Sequence, residues 1–277
     1  MDTITLNNGV QMPLIGFGTF LMAGEECEAS ILSALRHGYR MIDTAEAYGN
    51  EEAVGSAIAK SGIARDELFL VTKVNFRSYE NACETVEASL AKLGTDYLDL
   101  VLLHWSFGNY YAAWRELEKL HQEGRIRAIG VSNFEPDRLI DLIGFNKVVP
   151  AVDQIETHLL CQRRDERAWM EKYGIAPMAY APLGQGKRND MFQNETLLQI
   201  ADSHGKTPAQ VALRFLMQSG VAVIPKSVHD ERIEENLGSA GFDLAAGEME
   251  RLAAMDEAKP LIGKPEDPAL VEFAMTW

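Results

Sequence analysis

The order of apolar runs constrains this chain more than any other feature. Eight short runs rich in aliphatic and β-branched residues follow one another: "IGFG", "YRMID", "LFLVTK", "LDLVLLH", "IRAIGV", "AVDQI", "APMAYA" and "VAVIP". Longer amphipathic segments separate them, among them "EECEASILSALRHG", "ENACETVEASLAKLG", "AAWRELEKLHQEG" and "PDRLIDLIGF". The short runs show little apolar–polar alternation, which predicts strands covered on both faces. Gly38, Gly94 and Gly124 stand where helix C-terminal caps belong. Eight strand–helix alternations within 277 residues predict an α/β protein of the (β/α)8, or TIM-barrel, architecture. Ahead of them "TITL" and "QMPLI" flank "NNGV", whose Asn8-Gly9 pair predicts a hairpin, expected to cap the bottom of the barrel.

The competing architecture is a doubly wound open sheet binding a dinucleotide. It requires GxGxxG after the first strand, but Gly16 and Gly18 are followed by Leu21 where the third glycine belongs. No Pro/Gly/Ser-rich linker or low-complexity tract divides the chain, so one domain over residues 1–277 is expected.

Composition narrows the partners. With 47% hydrophobic and 24% charged residues the chain has the balance of a globular protein, and its formal charge of −15 repels nucleic acid and anionic membranes alike. A small-molecule partner is therefore expected. Cys27, Cys83 and Cys161 are odd in number, scattered and without a CxxC pair, which predicts neither disulfides nor a zinc site. The six histidines form no HxH, so no metal is expected. "MDTITLNNGVQMPLIG" carries no basic n-region, and no apolar run approaches the ~20 residues of a membrane span, so a cytoplasmic location is expected.

In a barrel of this kind chemistry gathers at the C-terminal ends of the strands. The second run ends in Asp43, with Tyr48 in the loop beyond; the third ends in Lys73 and the fourth in His104. Taken singly, each has an ordinary use: Asp43 as a turn cap, Tyr48 as packing, Lys73 as a rim charge, His104 as a core residue. Their convergence on one rim favours a catalytic set. A free phenol titrates near ~10, and a neighbouring ammonium is expected to lower that value. Lys73 can supply the ammonium, Asp43 can hold it charged, and a neutral His104 can orient a substrate oxygen. Such a set protonates an oxygen that is gaining negative charge, as carbonyl reduction by hydride requires.

The motifs "IGFGTF", "IDTAEAYGNE", "VTK", "LLHW", "IGVSNF" and "IPKS…ERIEEN" together resemble the aldo-keto reductases along essentially the whole chain. The resemblance implies an NADPH-dependent barrel enzyme, expected as a monomer, with Asp43, Tyr48, Lys73 and His104 as its tetrad and Tyr48 as general acid for an aldehyde or ketone. For the cofactor (NADPH/NADP+, with NADH as an alternative) it implies Gly18, Thr19 and Asp43 at the first strand ends, and Ser132, Asn133 and Gln154 on the nicotinamide amide. Tyr180 would stack on the nicotinamide ring, Pro182, Leu183 and Gly184 would line the pyrophosphate, and Lys226, Ser227, Val228, Arg232, Glu235 and Asn236 would hold the adenosine end. Lys226 and Arg232 are the cations expected on a 2′-phosphate, with Asp230, Glu231, Glu234 and Glu235 as opposing charges. Phe20 and Trp105 would wall the substrate site beside Tyr48 and His104.

Ser106 stands where the family has proline, and the loop "SFGNYY" is short. The short loops and the ending "DPALVEFAMTW" are similar to those of microbial members acting on small aldehydes, 2-oxoaldehydes or diketo sugar acids. Two alternatives stay open at this stage: a non-catalytic, cofactor-sensing subunit of the same fold, and a Schiff-base lyase with Lys73 as nucleophile.

Overall fold

Each of the eight apolar runs contributes a strand to one parallel sheet. The computed structural model describes residues 2–186 and 189–276. A hairpin of β1 (Thr3–Thr5) and β2 (Gln11–Pro13) comes first, followed by β3 (Phe17–Gly18), β4 (Met41–Asp43), β5 (Phe69–Val74) and β6 (Leu98–Leu103). The last four are β7 (Ile126–Ser132), β8 (Val152–Glu156), β9 (Ala176–Tyr180) and β10 (Ala222–Val223). β3 to β10 lie side by side in chain order. The sheet closes on itself through a parallel bridge between Ile15 and Val223, with Gly16 N–H donating to the Val223 carbonyl at 2.8 Å and Val223 N–H to that of Leu14 at 2.9 Å. The result is the expected (β/α)8 barrel. Its closing strands are shorter than the runs that announced them, because Pro225 has no N–H to extend the ladder. A Cβ on Gly18 would lie 2.8 Å from the Ile224 carbonyl, so only glycine lets the two edges meet.

Side chains alternate across each strand, and this sorts the core into two layers. Met41, Phe69, Val71, Leu100, Leu102, Val152 and Met178 point inward and form the barrel interior. Their neighbours Ile42, Leu70, Val101, Leu103, Ile129 and Ile155 point outward beneath the helices. The helix Tyr110–Gln122 shows why those helices form: Trp114, Leu117 and Leu120 repeat on one buried face, while Arg115 and Lys119 are exposed on the other. Gly38 and Gly94 end their helices at φ 112° and 65°, and Gly124 follows Gln122 at φ 78°.

The hairpin plugs the N-terminal end of the barrel. Leu6 and Met12 join the interior layer, and the Asn7 and Asn8 amides donate to the carbonyls of Pro150 and Arg127, each at 2.9 Å. That leaves the opposite end open for chemistry. Among the described residues no helix is long and apolar enough to cross a membrane.

Candidate active site

Strand parity decides which side chains reach the open end. One step beyond the last apolar interior layer, the inward positions are Asp43 on β4, Lys73 on β5, His104 just past β6, Ser132 on β7, Gln154 on β8, Tyr180 on β9 and Lys226 past β10. Seven consecutive strands therefore deliver a polar side chain to one level of the mouth.

Lys73 and Asp43 form a fully buried ion pair. The Lys73 ammonium donates to Asp43 Oδ1 at 2.6 Å and to the Thr44 carbonyl at 2.8 Å, and Gln154 Nε2 donates to Asp43 Oδ2 at 2.8 Å. Every strong partner is paired, which a buried charge requires. Burial lowers the Lys73 pKa, opposed by the Asp43 charge. An amine so buried and so engaged is poorly placed to attack a carbonyl, which weighs against the lyase alternative.

Tyr48 ends a short 3-10 turn, Glu46–Tyr48, closed by Gly49 at φ 63°. Its ring centroid lies 5.1 Å from Lys73 Nζ, 5.8 Å from the His104 ring and 5.0 Å from the Phe20 ring. Its phenol is pushed well above its ordinary pKa, first by burial and then by Asp43. The expectation that Lys73 lowers it therefore fails in the resting site: desolvation dominates, and Asp43 sits against the ammonium that was to do the lowering. His104 is pushed down to about 3, by burial first and by Lys73 second, so its imidazole is neutral at ordinary pH. Its Nδ1 is buried and, among the described residues, has no hydrogen-bond partner.

The cofactor candidates join these residues in one network. Tyr180 O–H donates to Asn133 Oδ1 at 2.9 Å, and Asn133 Nδ2 donates to the His104 carbonyl at 3.0 Å and to Ser132 Oγ at 3.1 Å. Ser132 O–H donates to the Gln154 carbonyl at 2.8 Å, whose side chain holds Asp43. Gly18 and Thr19 are backbone-committed: Gly18 N–H donates to the Pro225 carbonyl at 3.2 Å, and Thr19 donates to the Asp43 carbonyl from both N–H and Oγ, each at 3.0 Å. Pro182, Leu183 and Gly184 form a tight turn after β9, with Gly184 N–H donating to the Ala181 carbonyl at 2.9 Å.

Past β10, Lys226 and Arg232 are exposed, and among the described residues neither side chain is in an ion pair or hydrogen bond. Two of the acids expected to oppose them are engaged elsewhere. Asp230 accepts from Ser33 and lies 3.3 Å from His37, and Glu235 accepts from Thr207 at 2.6 Å. That bond anchors Glu235 to Thr207 at the start of the preceding helix, Pro208–Gln218. Ser227 and Asn236 are buried, Val228 packs on the core, and Ser227 Oγ accepts from His229 N–H at 3.1 Å. Unneutralised cations beside a wall of amide and hydroxyl groups fit a dinucleotide with its phosphates at the β10 end.

An aromatic wall lines the other side. Trp105 stacks on His104 at 6.1 Å, Phe107 on Trp105 at 5.2 Å, and Phe76 meets Phe107 at 5.1 Å. Tyr79 pins Trp105, donating to its carbonyl at 2.6 Å and accepting from its N–H at 3.0 Å. Phe20 is 43% exposed, a rim position for an apolar side chain. Sequence reasoning named Phe20 and Trp105 but missed Phe76, Tyr79 and Phe107. It also missed Glu156, whose Oε1 accepts from the N–H groups of Leu261 at 2.5 Å and Ile262 at 3.0 Å and so moors the C-terminal tail. Counting two residues on from Gln154 along the inward face would have found Glu156. Among the described residues no group of three or more His, Cys, Asp or Glu side chains is arranged to hold a metal ion.

The aldo/keto reductase family model matches residues 14–257. This chain belongs to the aldo-keto reductases. The glyoxal reductase of Bacillus subtilis is 42% identical over 270 residues, covering 96% of this chain and 97% of the relative. An aldo-keto reductase enzyme from a Medee basin deep-sea metagenome library superposes with a TM-score of 0.93 at 40% identity, covering 95% and 98% of the two chains. The Bombyx mori aldo-keto reductase, solved in complex with NADP, superposes with a TM-score of 0.89 at 30% identity over 95% of each chain. As a family member the protein is an enzyme, an NAD(P)H-dependent oxidoreductase of the carbonyl-reducing type. That removes the non-catalytic alternative.

Proposed function

We propose that this aldo-keto reductase is a one-domain, monomeric enzyme that uses NADPH to reduce small aldehydes and ketones, 2-oxoaldehydes among them, with Tyr48 as the proton donor. The observation that carries the reading is the grouping of Tyr48, a neutral His104 and the buried Lys73–Asp43 pair at one end of the barrel. Support for 2-oxoaldehydes is the identity to a glyoxal reductase. Support for NADPH over NADH is the pair of uncommitted cations Lys226 and Arg232, which suit a 2′-phosphate.

Bound NADPH supplies the hydride. The remaining work falls to the chain's own side chains. Ser132, Asn133 and Gln154 would hold the carboxamide of the nicotinamide, and Tyr180 would pack against its ring. Gly18, Thr19 and the Pro182–Gly184 turn line its path, while Lys226, Ser227, Val228, Arg232, Glu235 and Asn236 form the adenosine end. His104 hydrogen-bonds the carbonyl oxygen without carrying charge, and Phe20 and Trp105 exclude water from its apolar side. Tyr48 passes its proton to that oxygen as negative charge builds there. A raised phenol pKa keeps the proton in place until negative charge builds on the substrate oxygen. The phenolate left behind faces the Lys73 ammonium, 5.1 Å from the ring centroid.

Tyr48→Phe tests the assignment. Turnover of methylglyoxal should fall by about 10²–10⁴-fold, the usual worth of a positioned acid, while NADPH affinity measured by fluorescence stays within about twofold. Wild-type turnover in that variant would end the proton-donor role.

A further inference from the structure

β8 carries a buried carboxyl group that the mechanism above does not use. Asp153 lies on the outward face of the strand, wholly inaccessible to solvent. The Phe134 backbone N–H lies close to its carboxyl, yet among the described residues neither oxygen makes a well-formed hydrogen bond and no cation is within ion-pair distance. The charged groups that face it are Glu135, Arg163 and Glu166. Arg163 is committed to Glu166 at 2.9 Å, to Glu135 at 3.4 Å and to the Glu156 carbonyl at 3.2 Å. An ionised Asp153 would be a buried charge without a counterion, a state that proteins avoid by protonation. Burial accordingly pushes its carboxyl well above the usual carboxylate range.

Its location gives the group a task. Val131 pairs with Asp153 and Ser132 with Gln154 in the β7–β8 ladder. The Gln154 carbonyl accepts from Ser132 Oγ at 2.8 Å and from Asn133 N–H at 3.1 Å. Asp153, one residue earlier and on the other face, meets Phe134. One dipeptide of β8 therefore addresses three consecutive residues at the end of β7. The middle one, Asn133, sits at φ 61°, a left-handed conformation that a non-glycine residue holds only when its surroundings fix it.

We propose that Asp153, as an uncharged carboxylic acid, is a positioning residue that fixes the Ser132–Phe134 turn and through it the side chains that receive the nicotinamide carboxamide. The inference rests on the cofactor assignment above. The neutral acid keeps a carbonyl oxygen for Phe134 N–H while avoiding an unpaired charge.

Two variants separate the possibilities. Asp153→Asn keeps an acceptor oxygen and cannot ionise; Asp153→Leu keeps neither acceptor nor charge. NADPH binding is read from quenching of protein fluorescence, and stability from melting temperature across pH 5 to 9. Asp153→Asn should bind NADPH like wild type. Asp153→Leu should bind about tenfold more weakly, the effect of removing a buried acceptor. In the unfolded chain Asp153 ionises near ~3.9, whereas in the fold it stays protonated to higher pH. Its contribution to stability is thus full below that unfolded value and is lost as pH rises toward the folded one. The melting temperature of Asp153→Asn should therefore gain on wild type as pH rises, and the wild-type infrared spectrum should show a protonated-carboxyl stretch that Asp153→Asn lacks.

Asp153→Leu binding NADPH within twofold of wild type, or Asp153→Asn binding as weakly as Asp153→Leu, overturns the positioning role. A stability gap that does not move with pH overturns the neutral acid, and that arm stands even if Asp153→Leu does not fold. Wild-type protein that binds no NADPH refutes the cofactor assignment instead, while the infrared and pH arms still report on Asp153.

Discussion

Lys73 is the side chain a low-dielectric interior should reject most strongly, and it stays because Asp43, Thr44 and Gln154 form a closed set around it. Removing one partner of such a pair exposes the cost of burying the other. Lys73→Met should lose about 3–5 kcal/mol in denaturant unfolding, and adding Asp43→Asn should restore much of it, because no stranded charge remains. A double variant no more stable than Lys73→Met would show that the pair contributes packing rather than charge balance. His104 carries a pH signature of its own. Its ordinary value is 6.5 and the fold holds it at about 3. Protons then bind the unfolded chain preferentially between those values, so its stabilising share is complete above pH 6.5 and is lost as pH falls toward 3. Wild type should lose stability against His104→Gln over that window in melting experiments; parallel curves would mean that the imidazole is not held neutral. The tetrad was legible in the sequence because each member ends an apolar run or follows it closely. The raised Tyr48 pKa was not, since it depends on burial and on how near Asp43 lies, which spacing along a chain does not encode.

At the scale of elements, β7 and β8 carry the mouth network, and their contact depends on a missing side chain. A Cβ on Gly130 would lie 2.6 Å from the Val152 carbonyl and 2.7 Å from the Leu102 side chain. Gly130→Ala should therefore cost about 1–3 kcal/mol by overpacking, and should weaken NADPH binding by moving Ser132 and Asn133 away from the Gln154 carbonyl. An unchanged melting temperature and affinity in that variant would show that the strands can yield there. Apolar run length placed the strands well: "AVDQI" and "APMAYA" each contain their strand to within a residue or two. The helix "PDRLIDLIGF" matches Pro136–Phe145 at both ends, where Pro at the first turn marks the start. The aromatic wall was harder to see. Phe76 and Tyr79 stand in a short 3-10 helix, Phe76–Asn81, and Phe107 in a loop, segments too brief for a periodicity to say which way a ring points.

For the whole molecule, the charge distribution opposes its own ligand. A chain of net charge −15 repels a dinucleotide phosphate at long range, whereas Lys226 and Arg232 attract it only within a few ångströms. At low ionic strength the long-range field prevails, so NADPH association followed by stopped-flow should quicken as salt rises toward ~0.1 M, where the Debye length is ~10 Å. A monotonic slowing from the lowest salt upward would mean that the two cations steer the encounter after all. Closure of the barrel has a further effect. The joint rests on the Ile15–Val223 bridge and on the Gly18 N–H bond to the Pro225 carbonyl, and the residues next to that last bond, Thr19 on one side and Lys226 on the other, belong to the proposed dinucleotide site. A cylinder joined so thinly has a preferred place to tear, and a nucleotide laid over that joint acts as a rivet, tying the protein's resistance to rupture to whether its cofactor is in place.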